Sequence, residues 1–206
     1  MKGQPQIISI IIIMGIIVLL IGATYFWGKP LIDKRVIITQ AATIREFMGK
    51  LDEKIVTMAR SCTGFCDESL TIPPGSYIKA YRNDSLTDDN NSVVLEFAIG
   101  YPMMGNGTVP LNTNVLGEVA PYGETNGVIT MRQILEGSQY KLIFKIHYRE
   151  LDTRTIPIEG YKILLEPEVM TGHQKISISF GGTSVIPGGA ANGGSLTVTR
   201  IKIDTI

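Results

Sequence analysis

Between Lys2 and Lys29 the chain carries no charged side chain, and from Ile7 to Trp27 it reads IISIIIIMGIIVLLIGATYFW. At ~1.5 Å rise per residue, those roughly 21 residues make a helix about 31 Å long, which matches a hydrocarbon core of ~30 Å. About a dozen Ile, Leu and Val residues, each worth roughly −0.5 kcal/mol, favour insertion by several kcal/mol. Apolar side chains on every face leave such a helix little use on one side of a soluble domain. The segment therefore either holds the chain in a membrane by its N-terminus or bundles with copies of itself. It is longer than an ordinary signal-peptide core and no A-x-A-like site follows it, so a retained helix is expected. Tyr25, Phe26 and Trp27 stand where an aromatic belt meets lipid head groups.

Orientation draws on competing signals. Lys29, Lys34 and Arg35 behind the apolar run, offset by Asp33, outnumber Lys2 and the amino terminus in front of it. Taken alone, that count keeps the rear flank in the cytoplasm. Two other features point the rear flank outward. Cys62 and Cys66 in SCTGFCDES are placed to close a small disulfide, a bond that persists in an oxidising compartment. Three Asn-x-Ser/Thr sequons, at Asn83, Asn90 and Asn106, are glycosylation candidates in turn-like stretches; the alternative is that they are plain Asn-rich loops. The head is expected outside the cell.

Beyond the apolar run, Pro30 is expected to kink or briefly interrupt the helix. An amphipathic stretch follows. Ile37, Ala41, Ile44, Met48, Leu51, Ile55 and Met58 alternate steps of four and three and form one apolar stripe. Arg45, Glu46, Lys50, Asp52, Glu53 and Lys54 fall mostly on the other faces. Such a helix lies on a β-sheet or supplies a seam between chains, and the two uses can coexist on different faces.

After Arg60 the hydrophobic period becomes two. Strands are expected over 70–72, 76–81, 92–101, 139–151, 161–166, 175–180 and 195–206, with weaker candidates at 115–120 and 127–131. Pro73-Pro74-Gly75 reads as a tight turn, 102–114 as a loop, and Gly181 to Gly194 as a flexible tip or long hairpin connection. A one-residue slip in the alternation around Arg200 suggests a bulge. No helix of 10–15 residues separates the strands, so an antiparallel β-sandwich is expected in preference to a parallel α/β sheet. The fold class is α+β: a leader and membrane-spanning or filament-core helix over 1–35, an amphipathic stalk helix over 36–60, and a β-sandwich head over 61–206.

Little in this chain suggests catalysis. Nineteen basic and nineteen acidic residues cancel, leaving no global field for nucleic acid. His147 and His173 lie far from Cys62 and Cys66, without the compact spacing of a zinc finger. Asp88-Asp89-Asn90-Asn91 lacks the spaced acids and closing Glu of a calcium loop. The Gly-rich stretch has no Gly-Lys-Ser/Thr ending. No catalytic residue, metal or cofactor is expected, and a membrane-tethered hydrolase or metal enzyme is the weakest class of reading.

Lys2-Gly3-Gln4 directly before the apolar helix resembles the processing site of archaeal type IV pilin-like proteins, the class III signal peptide family. The stretch from Phe26 to Ile32 and the sequence Leu70-Thr-Ile-Pro-Pro-Gly75, opening a β-rich head, are also similar to that family. The resemblance implies cleavage between Gly3 and Gln4 by a prepilin peptidase. The apolar helix would then serve as membrane anchor in the precursor and as filament core after assembly. Membrane lipid, further copies of the chain or related pilins would be its partners, and adhesion its role. Gly15, Gly22 and Ala23 would allow close helix approach, although glycine is also ordinary in membrane helices. Ile8 stands at the fifth mature position, where many members carry Glu, and Pro5 at the second. Those departures leave room for a minor or non-polymerising relative. A permanently anchored extracellular binding or envelope-scaffold protein is the alternative.

Overall fold

The computed structural model describes residues 4–82, 90–105, 107–167 and 174–205, with the side chains of 4–8 excepted. Its architecture is α+β: one long N-terminal helix precedes a β-rich region of two sheets. The chain divides into two compact units, residues 1–41 and 42–206.

Helix α1 runs from Gln4 to Ser61 and is continuous through Pro30, where a kink or brief interruption is expected; the interruption does not occur. Proline removes one backbone donor from the ladder. The remaining backbone bonds of a 58-residue helix outweigh that single loss. In the first unit, large apolar side chains from Ile10 to Trp27 stand exposed. Ser9–Ser61 contains a stretch long and apolar enough to cross a membrane. All seven residues of the expected stripe, Ile37 to Met58, are buried. In the second unit this stripe is the helical part of the core: Met48, Leu51 and Ile55 are fully enclosed.

The strands are β1 (Asp67–Thr71), β2 (Ser76–Tyr81), β3 (Ser92–Ile99), β4 (Thr108–Pro110), β5 (Val119–Pro121), β6 (Gly127–Glu136), β7 (Gln139–Tyr148), β8 (Glu150–Asp152), β9 (Glu159–Pro167), β10 (Lys175–Ile186) and β11 (Ser195–Thr205). One sheet has the order β1-β10-β11-β9-β8-β5 and the other β2-β3-β7-β6-β4. Most pairs are antiparallel, but β9 with β11 and β5 with β8 are parallel. The alternation of side chains is the same in either direction, so it carries no information about strand sense.

Several boundaries differ from expectation. The strand expected over 139–151 divides at Arg149 into β7 and β8, which lie in different sheets, and the strands expected at 70–72 and 115–120 run instead over Asp67–Thr71 and Val119–Pro121. The loop before Asn114 contains β4, which pairs with β6. The weak candidate at 127–131 extends to Glu136 and forms a ten-residue strand against β7. The first half of the Gly-rich stretch belongs to β10, because the β-formers Thr183, Val185 and Ile186 follow its glycines. The register slip appears as expected, but its extra residue is Gly181 on β10, between the pairs Phe180 with Ile201 and Gly182 with Arg200. A Cβ at Gly181 would lie 3.1 Å from the Arg200 carbonyl oxygen, so glycine suits the bulge.

Asn91 joins the two sheets. Its side-chain amide donates to the carbonyls of Tyr148 and Ile163, each at 2.8 Å, and its side-chain oxygen accepts from the Leu165 amide at 2.9 Å. Tyr148 ends β7 in one sheet, and the other two residues lie on β9 in the other. Asn91 has a φ of 47°, a left-handed conformation that Asn tolerates better than most residues.

Candidate functional site

Two regions carry chemical interest. The first is the bare apolar run of α1 in residues 1–41. Among the described residues its most apolar window is 0% buried. Phe26 and Trp27 are 86% and 81% exposed, and the Lys29 ammonium sits 5.8 Å from the Tyr25 ring centre. An aromatic group beside a cation at the end of an apolar helix suits a lipid–water boundary.

The second is a cleft in the second unit. The C-terminal turns of α1, from Asp52 to Arg60, form one wall together with Cys62 and Thr63. The β5–β6 turn from Tyr122 to Asn126 forms another. The floor is one face of β9, β11 and β10, carrying Tyr161, Thr197, Thr199 and Thr183. Register explains the floor: Tyr161 pairs with Thr197, and Thr199 with Thr183. Further along the same face the positions are apolar and fully buried, at Ile163, Ile201 and Ile203. The face thus changes from core to hydroxyl-bearing surface where it leaves the helix stripe. The cleft encloses about 820 Å³.

Asp52 lies at the inner edge of this cleft and is mostly buried, contrary to the expected outward placement. It stands four residues after Met48, so it falls on the flank of the stripe itself. Its carboxylate packs over Gly127, where an added Cβ would collide with Asp52 Oδ1. Burial pushes the carboxyl up to about 6, against the opposing pull of the nearby Tyr148 hydroxyl and Arg60 guanidinium. The Tyr148 hydroxyl is itself raised well above its ordinary value, first by burial and then by the Asp52 charge. Although these two groups interact, neither Asp52 Oδ1 nor Tyr148 Oη closes a hydrogen bond of good geometry. Arg60 donates to Asn126 Oδ1 at 3.3 Å and ties the helix end to the β5–β6 turn. That turn is held from behind by the buried Arg149, which donates to the carbonyls of Thr125, at 3.0 Å, and Val115.

The cysteines expected to pair do so: Cys62 and Cys66 form a disulfide. It closes the turn leaving α1 and bounds one end of the cleft. Phe65, inside that loop, is 96% exposed. Because both thiols are used in this bond, they are not ligands for zinc. His147 contacts the Asn90 carbonyl and the Glu118 carboxylate, each at 2.9 Å. Among the described residues no group of three or more His, Cys, Asp or Glu is placed to hold a metal ion.

The remaining site residues are dispersed. Gln4 opens α1, while Gly3 lies outside the described residues, as do Asn83, Asn106, His173, Asp88 and Asp89. Asn90 sits in the turn entering β3 with its side-chain oxygen buried. The two residues completing its sequon, Asn91 and Ser92, are in the interior at 1% and 0% exposure. Sequence reasoning missed the cleft, whose residues come from α1, the segment after it, the β5–β6 turn and strands β8 to β11, and it missed the structural role of Asn91.

Comparison with protein-family models, with curated proteins and with solved structures finds no match.

Proposed function

We propose that this chain is a pilin-like subunit of an archaeal type IV pilus-type surface filament. In this reading the apolar half of α1 anchors the precursor in the membrane, with the N-terminus cytoplasmic and the head outside. A prepilin peptidase cleaves between Gly3 and Gln4, and the helices of neighbouring copies or related pilins then bury one another in the filament core. The β-rich head faces the medium and serves adhesion.

One observation carries the reading. A single helix is apolar and uncovered over Ile10 to Trp27, yet supplies the core stripe of the second unit over Ile44 to Met58. A removable signal segment has no need of such continuity, whereas a subunit that transmits helix packing to a head does. The disulfide supports an oxidising location for the head.

Electron microscopy of material sheared from cells tests the proposal. Filaments that contain this chain, with an intact mass beginning at Gln4, are expected. Release of the chain only by detergent would overturn polymerisation, and a native mass retaining residues 1–3 would overturn processing. The absence of a carboxylate at Ile8 favours one second reading, a permanently anchored extracellular binding or scaffold protein, which the detergent result would support.

A further inference from the structure

We infer that the open edge of β10, from Gly182 to Ile186, pairs with the same segment of a second copy of this chain, antiparallel and about a two-fold axis at Ser184. The inference concerns the head alone and holds whether the chain polymerises or stays anchored.

The unpaired edge is the first reason. β1 pairs with β10 only from Lys175 to Ser179, and the Cys66 carbonyl accepts from the Phe180 amide. Beyond that point β10 continues to Ile186 with β11 on one side and, among the described residues, no strand on the other. Successive residues of an antiparallel strand turn their N–H and C=O groups to opposite sides, so about half of those on this stretch face away from β11. Val185 and Ile186 are 60% and 45% exposed. The outermost strands of both sheets are guarded. β1 carries Asp67 and Glu68, β2 carries Lys79, and β4 and β5 are short and end in Pro110 and Pro121. Charges, prolines and short length all discourage pairing with another chain. Gly182-Thr-Ser-Val-Ile186 has no charge and no proline, so it is the edge left open to strand addition.

The bounds of the gap select its occupant. Cys66 closes it at Phe180, and the chain turns away after Ile186, where the Gly189 amide donates to the Ile186 carbonyl at 3.1 Å. The same segment of a second copy has the same length and ends in the same turn. With the axis at Ser184, Gly182 lies opposite Ile186 of the second copy and Thr183 opposite its Val185, and each pairing occurs twice. β-Branched residues paired in this way favour a sheet. An axis at Thr183 would instead drive the second copy's Ile186 against Phe180, where Cys66 already sits. The fitted register brings that copy's turn up to the Cys62–Cys66 loop, where Phe65 is 96% exposed and gains cover. Anchoring in one membrane raises the effective concentration of copies, so a short contact suffices. A two-fold contact closes on a pair and does not propagate. It therefore ties neighbouring anchored chains, or neighbouring filaments, two by two and is distinct from helix packing in a filament core.

The test uses the full chain in detergent micelles, carrying Ser184→Cys beside the native disulfide. Cβ atoms directly opposite on antiparallel strands stand ~4.5–5.5 Å apart, near the ~3.5–4.5 Å that a disulfide spans. Mild oxidation should therefore link two copies through position 184, read by non-reducing electrophoresis and peptide mass mapping. Ser69→Cys, exposed on the guarded β1, should link about tenfold more slowly, because only a paired position gains effective concentration. In the Ser184→Cys chain, Thr183→Lys with Val185→Lys sets like charges opposite each other and should slow linking by about tenfold, as should Thr183→Glu with Val185→Glu. An equimolar mixture of the lysine and glutamate forms should restore the rate, which also shows that both are folded. Linking of Ser184→Cys no faster than that of Ser69→Cys would overturn the inference. So would lysine and glutamate forms that link as fast alone as mixed, or a mixture that links no faster than either form alone.

Discussion

The two ends of α1 obey opposite rules. From Ile10 to Trp27 the large apolar side chains are exposed among the described residues. From Ile44 to Met58 the apolar side chains form a stripe enclosed within the second unit. The first stretch has a uniform surface that tolerates many neighbours. The second has a fitted socket that includes a carboxylate packed over a glycine. One helix can thus serve an adaptable contact at one end and a specific one at the other, with composition deciding the former and spacing the latter.

Substitution should separate the two rules most widely at matched leucines. Leu51→Ala, in the socket, should cost the head about 2–5 kcal/mol in denaturant unfolding, while Leu19→Ala should change head stability by less than about 0.5 kcal/mol. Equal losses would mean the bare stretch also supports the head.

The next effect concerns Asp52. Its folded carboxyl holds a proton up to about pH 6, whereas the ordinary value is 3.8. The native state therefore binds more protons between those values, and stability falls as pH rises. The contribution is full below 3.8 and lost above about 6, with a magnitude of order 3 kcal/mol. Asp52→Asn should flatten this slope and raise the unfolding midpoint at pH 7. A variant that keeps the slope would place its origin elsewhere.

Gly127→Ala should destabilise the head by up to about 3 kcal/mol, because the added methyl meets the Asp52 carboxylate and forces repacking. Asp52→Ala in the same chain should recover part of that loss, a coupling readable in a double-mutant cycle. The smallest effect is expected for Cys62→Ser with Cys66→Ser. A loop this short restrains the unfolded chain by at most about 2 kcal/mol, measured as a shift in unfolding midpoint with the fold retained.

Much of this architecture was legible in the sequence, for local reasons. The seven stripe positions from Ile37 to Met58 were readable because helical periodicity repeats within a few residues. The disulfide was readable because its cysteines are only four positions apart. Strand existence followed from alternation, as in Tyr140, Leu142, Phe144, Ile146 and Tyr148. What escaped depends on long-range pairing. The parallel contact of β9 with β11 joins segments whose alternation is indifferent to direction. Asn91 looked like the middle of a sequon, and only its partners on β7 and β9, more than fifty residues away, reveal a link between sheets. Asp52 was assigned to the wet face by its charge, although its spacing from Met48 placed it beside the stripe. The cleft collects Asp52, Tyr122, Asn126, Tyr161 and Thr199 from separate elements, and no local pattern joins them.

Surface labelling of intact cells tests the central claim most directly. A membrane-impermeant amine reagent, followed by peptide mass mapping, should modify the exposed head lysines Lys175 and Lys202 without cell breakage. Labelling of those two lysines only after the cells are broken open would put the head in the cytoplasm and contradict the account.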